Sequence, residues 1–114
     1  MTDHPAHAAA AAALIRELAE ATKDPRDAYG SPAEIASVAQ SLRDLAGHLE
    51  DALRHMERHI DRQGDGWATT NGQQPRRYAR QANSQILSAR AAAHTMARAL
   101  GESVEALIHL KPAP

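Results

Sequence analysis

The chain has 114 residues, a formal net charge of -1, and neither cysteine nor phenylalanine. This length accommodates one domain (residues 1–114) with a modest hydrophobic core, but not a large enclosed active site. A net charge this small produces no overall electrostatic attraction to nucleic acid or to an anionic membrane. The lack of cysteine excludes disulfides, thiolate catalysis and cysteine metal sites.

No targeting or membrane segment is predicted. Residues 8–15 form a short apolar run, but Asp3 precedes it and the first basic residue is Arg16. A secretory signal needs a basic segment before its apolar run, and a membrane-spanning helix needs about 20 consecutive apolar residues. We therefore expect a cytoplasmic protein without a membrane span, exported only if a route without a cleaved signal exists.

The first predicted helix covers about residues 4–23. Thr2 or Asp3 can cap it, its alanine run has very high helix propensity, and Pro25 lies just beyond its end. Its large apolar side chains are Leu14, Ile15 and Leu18. Two arrangements are open: a helix that docks on the rest of the fold, or an arm that becomes ordered when it binds a partner.

The second predicted helix, about residues 31–63, organises the chain. Ser31 is its N-cap, Pro32 occupies the first helical position, and Glu34 can reach back to complete a capping box. Apolar residues recur every three or four positions, as in coiled coils. Gly47 lies inside the helix and indicates a close backbone crossing.

A glycine-rich polar loop at residues 64–74 separates this helix from a third one at about residues 75–109. Pro75 begins the third helix and Pro112 stops it. Two long helices joined by one loop predict an all-α fold, an antiparallel helical hairpin with a shorter N-terminal helix. In such a hairpin, facing residue numbers would sum to about 137.

In a single hairpin the edges of the two apolar stripes stay exposed to solvent, which favours pairing with a second copy into a four-helix bundle. We therefore predict a homo-oligomer, or a complex with another protein, and a small interaction or scaffold module. The predicted interface core consists of Ile35, Val38, Leu42, Leu45, Leu49, Leu53, Met56, Ile60, Ile86, Met96, Leu100, Val104 and Leu107. Trp67, in the loop, either covers the end of the hairpin or anchors a partner.

Histidines on the second helix raise the question of a metal site. His55 and His59 have the spacing that lets two imidazoles bind one ion. However, the metalloprotease pattern is absent, and the predicted register places Ala82 and Tyr78 opposite them. No third ligand arrives, so we predict flanking histidines, no metal and no cofactor.

A basic flank runs along the third helix and contains Arg76, Arg80, Arg90, His94 and Arg98. These residues can lie beside acidic groups of another helix and set the register. Alternatively, Arg76, Arg80, Arg90 and Arg98 form an anion contact of a nucleic-acid accessory protein. Few aromatic residues and no helix-turn-helix accompany them, so nucleic acid is not the expected partner.

No catalytic grouping is visible. The sequence has no Ser/His/Asp or Cys/His arrangement and no glycine loop that would hold a phosphate. The pairs Gly64-Asp65 and Asn71-Gly72 are typical of turns. We therefore predict that the protein is not an enzyme.

An alanine-rich chain of this length, without cysteine and with tryptophan in the loop of a helical hairpin, resembles the WXG100 proteins of type VII secretion. The resemblance is architectural and covers about residues 31–109. It implies a hairpin that is a secretion substrate, or the partner of one. The loop reads Trp67-Ala68-Thr69, without glycine two residues after tryptophan, and Tyr78 begins the last helix instead of following it. No site residue is carried over.

Overall fold

The computed structural model describes residues 3–113 and confirms the helical hairpin. Helix α1 spans His4–Ala21, α2 spans Pro32–Gln63 and α3 spans Pro75–Leu107, with a short 3-10 turn at Gly64–Gly66 after α2. Helices α2 and α3 pack against each other along their length. Over the described residues the chain contains no strand.

The N-terminal ends of α1 and α2 are fixed by side-chain caps. Asp3 accepts a hydrogen bond of 3.1 Å from the backbone N–H of Ala6, while Thr2 lies outside the described residues. Ser31 caps α2 by accepting from the N–H of Glu34, and the Glu34 carboxylate in turn accepts from the N–H of Gly30. The return bond therefore reaches one residue before the cap and still satisfies a free donor of the helix start.

The C-terminal ends of α1 and α3 come two residues earlier than predicted. At the end of α1, both the N–H and the hydroxyl of Thr22 donate to the carbonyl of Leu18. At the end of α3, the N–H of His109 donates to the carbonyl of Ala106 and closes a turn. Each bond satisfies a terminal helix carbonyl, so the chain leaves the helix at that point.

The seam between α2 and α3 is built from alanine. The buried apolar residues are Ala36, Ala39, Ala46 and Ala93, and Ala46 is 0% exposed. Small side chains let the two helix axes approach closely, but each buries little apolar area. The leucines and isoleucines of the stripes are therefore only partly covered by the partner helix.

Helix α1 makes no contact with α2 or α3. Of the two arrangements left open for this helix, docking on the hairpin is therefore wrong. Leu14, Ile15 and Leu18 at one end give the alanine-rich helix too little apolar surface to hold it there. The chain is accordingly long, with extents of 68 × 26 × 24 Å. Its radius of gyration is 19.0 Å, compared with about 13 Å for a compact chain of this length.

The register of the hairpin differs from the predicted one. Facing residues have numbers that sum to 144, as in the contacts of Glu50 with His94 and of Asp61 with Asn83. The difference in register arises at the loop. Helix α3 begins one turn beyond the end of α2, so Gly64 packs against Ala79. This shift moves the residues opposite the α2 histidines by about two helical turns.

The structure also corrects the interpretation of Gly47. A methyl group added at Gly47 would meet no atom within 4 Å, so no backbone crosses there. A methyl group added at Gly64 would lie 2.9 Å from the Cβ atom of Ala79. Of these two glycines, only Gly64 therefore lies in a close contact with α3.

Two glycine substitutions should therefore change stability in opposite directions. We expect Gly47→Ala to raise the free energy of unfolding by about 0.5–1 kcal/mol, because alanine loses less backbone entropy in a helix. Gly64→Ala should lower it, because its methyl group overlaps with Ala79. Thermal unfolding by circular dichroism at equal protein concentration measures both. A Gly47→Ala variant that melts below the wild type would contradict the open space seen around Gly47.

Candidate interaction surface

Polar contacts between the two long helices lie along one edge of the hairpin, here called the charged edge. It joins Glu50, Glu57 and Asp61 of α2 to His94, Arg90 and Asn83 of α3. Two residues of the basic flank of α3, Arg90 and His94, thus face acidic side chains of α2, as one of the two sequence interpretations expected. These contacts fix the register more than they stabilise the fold.

The strongest contact of the charged edge is the Arg90–Glu57 ion pair. Arg90 donates from Nε and Nη2 to the two carboxylate oxygens of Glu57, and both side chains are largely covered. The hydrogen bond to Glu57 raises the pKa of the Arg90 guanidinium. Beside it, Asn83 donates to the Asp61 carboxylate at 2.7 Å and to the backbone carbonyl of Glu57.

The four arginines predicted to contact anions do not form a free track. Arg76 pairs with Asp65 through two hydrogen bonds, which raise its pKa, and Arg90 pairs with Glu57. Arg80 and Arg98 form no ion pair within residues 3–113. They lie 18 positions apart on α3, about 27 Å at 1.5 Å per residue, so they do not meet at one phosphate.

The side of the hairpin opposite the charged edge is apolar, and we call it the apolar face. Leu49 and Met56 on α2 and Met96 on α3 are exposed there, Met56 by 49%. At 100° per residue, Leu49 and Met56 lie about 60–80° to one side of the Ala46 position, and Glu50 lies to the other side. On α3, Met96 and Arg90 similarly flank Ala93.

The apolar face is bulky on α2 and smooth on α3. Half-buried Val38 and Leu45 extend the exposed leucine and methionine of α2. The equivalent positions of α3 are mostly exposed small residues: Ala82, Ala89, Ala92 and Ala99. A ridge of large side chains beside a strip of small ones is a shape that a second copy can complement.

The predicted interface residues are distributed between the seam and the apolar face. Leu49, Met56 and Met96 are exposed. The others are half-buried: Ile35, Val38, Leu42, Leu45, Leu53, Ile60, Ile86, Leu100, Val104 and Leu107. Sequence periodicity did not single out the exposed Leu87, Ile108 and Leu110, since they lie off the stripe or beyond the end of α3.

The loop carries a second apolar feature at the end of the hairpin. Trp67 folds back onto His59, with ring centroids 5.9 Å apart, yet 47% of the residue is exposed. Tyr78 accepts a hydrogen bond of 2.6 Å from Asn71, which ties the loop to α3. Between the two rings lies the loop notch, an open cavity of about 160 Å³ lined by Ile60, Gly64, Trp67, Ala68, Thr69, Pro75, Tyr78, Ala79 and Ala82.

The α2 histidines are exposed along one flank. His59 contacts Trp67, whereas His48 and His55 face outward. The part of the chain that the structure describes does not bring together three His, Cys, Asp or Glu residues able to hold a metal ion. The register shift places Gln85 and Ala89 of α3 at these levels instead of the expected Tyr78 and Ala82, and neither carries an imidazole or a carboxylate.

The chain exposes much more surface than a compact protein of its mass. Its accessible area is 8936 Å². A folded monomer of 12.3 kDa would have about 6,100 Å², so the excess is about 2,800 Å². Part of this excess belongs to the detached α1, and part to the apolar face of the hairpin. A standard specific interface takes only about 800 Å² from each partner.

Comparison with known proteins gives no family to which the chain can be assigned. No protein-family model, no curated protein and no solved structure matches it. Within residues 3–113, each helix is too short or too polar to cross a lipid bilayer.

Proposed function

We propose that this protein is a small protein–protein interaction module that acts by self-association. The observation that supports the proposal is the exposed apolar face, in a chain whose seam buries only alanine. Monomeric soluble proteins rarely expose large contiguous apolar patches, and such patches mark interaction sites. Two copies that cover each other's apolar faces would form a four-helix bundle of coiled-coil type.

A second copy is the partner we propose for the apolar face. A two-fold axis makes the contact self-complementary, so the large side chains around Leu49 and Met56 are covered in both copies at once. Part of the excess surface lies on this face, and a standard interface takes only about 800 Å² from each copy. Because the charged edge lies on the opposite side, dimerisation leaves the Arg90–Glu57 pair undisturbed.

The self-associated hairpin would also present α1 as a binding arm. This helix carries exposed Leu14 and Ile15 and contacts neither long helix. A dimer therefore displays two such arms, which suits a scaffold that holds another protein at two points. In this role α1 would lay its few apolar side chains into a groove of that protein.

The molar mass in solution tests the proposal directly. We expect size-exclusion chromatography with light scattering to give twice the chain mass of 12.3 kDa at micromolar concentration. Dilution should return the protein toward the chain mass, because the interface is the only link between copies. A single species at the mass of one chain over the whole concentration range would contradict self-association.

A further inference from the structure

No side chain of residues 3–113 fills the loop notch, although its lining suits an apolar group. Its walls are the rings of Trp67 and Tyr78 and the side chain of Ile60. Ile60 and Tyr78 lie on the same side of their helices as the apolar face, so the notch continues that face toward the loop. A second copy that covers the apolar face therefore also reaches the notch.

The other end of the hairpin carries exposed apolar groups that could fill this notch. Ile108 and Leu110 follow the end of α3, and both are exposed. The two long helices have 32 and 33 residues, about 48–50 Å each at 1.5 Å per residue. Two hairpins aligned in opposite directions over this full length would bring the C-terminal segment of each to the loop of the other.

The charge distribution along the hairpin favours opposite directions. The loop end, residues 58–87, contains five arginines and two aspartates. The open end, residues 32–51 and 91–113, contains six acidic residues and three basic ones. Parallel copies would place like charges side by side at both ends. Antiparallel copies place opposite charges side by side, and such complementarity selects orientation more than affinity.

The geometry thus points to an antiparallel pair of copies, in which the loop notch beside Trp67 receives the Ile108–Leu110 segment of the partner. This inference rests on the proposed self-association and adds its direction and an anchoring contact at each end. The apolar face provides most of the buried area, and the two notches fix the alignment of the copies. Each Trp67 then becomes covered only when the dimer forms.

Cysteine cross-linking tests the direction, since the chain has no cysteine of its own. We expect Ala68→Cys and Lys111→Cys proteins, mixed and oxidised, to form a mixed disulfide between loop and C-terminal segment. Ala68→Cys alone should give no loop-to-loop disulfide. A loop-to-loop disulfide, or a dimer by light scattering that yields no mixed disulfide, would overturn the antiparallel arrangement while leaving self-association intact.

Fluorescence of the single tryptophan tests the occupant of the notch. At a concentration where light scattering shows dimers, the Ile108→Asn/Leu110→Asn variant should emit at longer wavelength than wild type, because Trp67 regains contact with water. Leu14→Asn is the matched control, since Leu14 is equally exposed but lies on α1. A red shift with Leu14→Asn instead, or with neither variant, would overturn the proposal. A monomeric wild type would instead contradict self-association itself.

Discussion

Met56→Glu is expected to convert the self-associated protein into a monomer at concentrations where the wild type is a dimer. The substitution places one carboxylate on the apolar face of each copy, and burying an unpaired charge costs several kcal/mol. We expect the dissociation constant to rise at least about 100-fold, which corresponds to roughly 2.8 kcal/mol. Light scattering over a dilution series measures the change, and circular dichroism shows whether the helices remain.

Leu87→Glu provides the matched control. Leu87 is 48% exposed, almost the same as Met56 at 49%, but it lies on the outer side of α3 and not on the apolar face. Leucine and glutamate have similar helix propensities, so this variant should dimerise like the wild type. If both substitutions weakened association equally, the contact between copies would not lie on the apolar face.

Ala46→Leu should strongly destabilise the hairpin. Ala46 is 0% exposed at the centre of the seam, where α3 packs directly over it. A leucine there forces the two helices apart, and overpacking of this kind costs about 1–3 kcal/mol. Because Ala46 is completely covered, we expect the upper part of that range and a melting temperature lower by roughly 10 °C.

Ala91→Leu distinguishes overpacking from a general effect of leucine. Ala91 is exposed on the outer side of α3, and a surface substitution of this kind stays within about 0.5 kcal/mol. Thermal unfolding of both variants at equal concentration gives the comparison. If Ala46→Leu lowered the melting temperature no more than Ala91→Leu does, the two helices would not be packed closely enough at Ala46 to exclude a leucine side chain.

The helices and their starts could be read from the sequence because the signals are local. Ser31, Pro32 and Glu34 fix the start of α2 whatever the rest of the chain does. The three- to four-residue period of the stripes likewise predicts a hairpin without any knowledge of the partner helix. The apolar face follows from the same period, since Leu49 and Met56 belong to the stripe but lie to one side of the seam.

The register and the seam could not be derived in the same way. The expected register assumed that the ends of α2 and α3 lie level, whereas Gly64 meets Ala79 and α3 starts one turn further out. That offset depends on the path of the loop, which residue types alone do not determine. The stripe was also expected to be centred on the hairpin contact, but the alanine row from Ala36 to Ala46 fills that place. The stripe was predicted from its large apolar residues, whereas the distance between two packed helices depends on the small residues between them.

In the proposed dimer, the alanine seam would make the unpaired hairpin the less stable form of the protein. The fully buried residues of the seam are alanines, each of which buries little area. In the proposed dimer, covering the half-buried and exposed large side chains would therefore add to the folding free energy. The amount of folded protein in a cell would then follow the rate of synthesis more steeply than for a self-sufficient domain. In the proposed assembly, chains without a partner would be the ones more open to proteases.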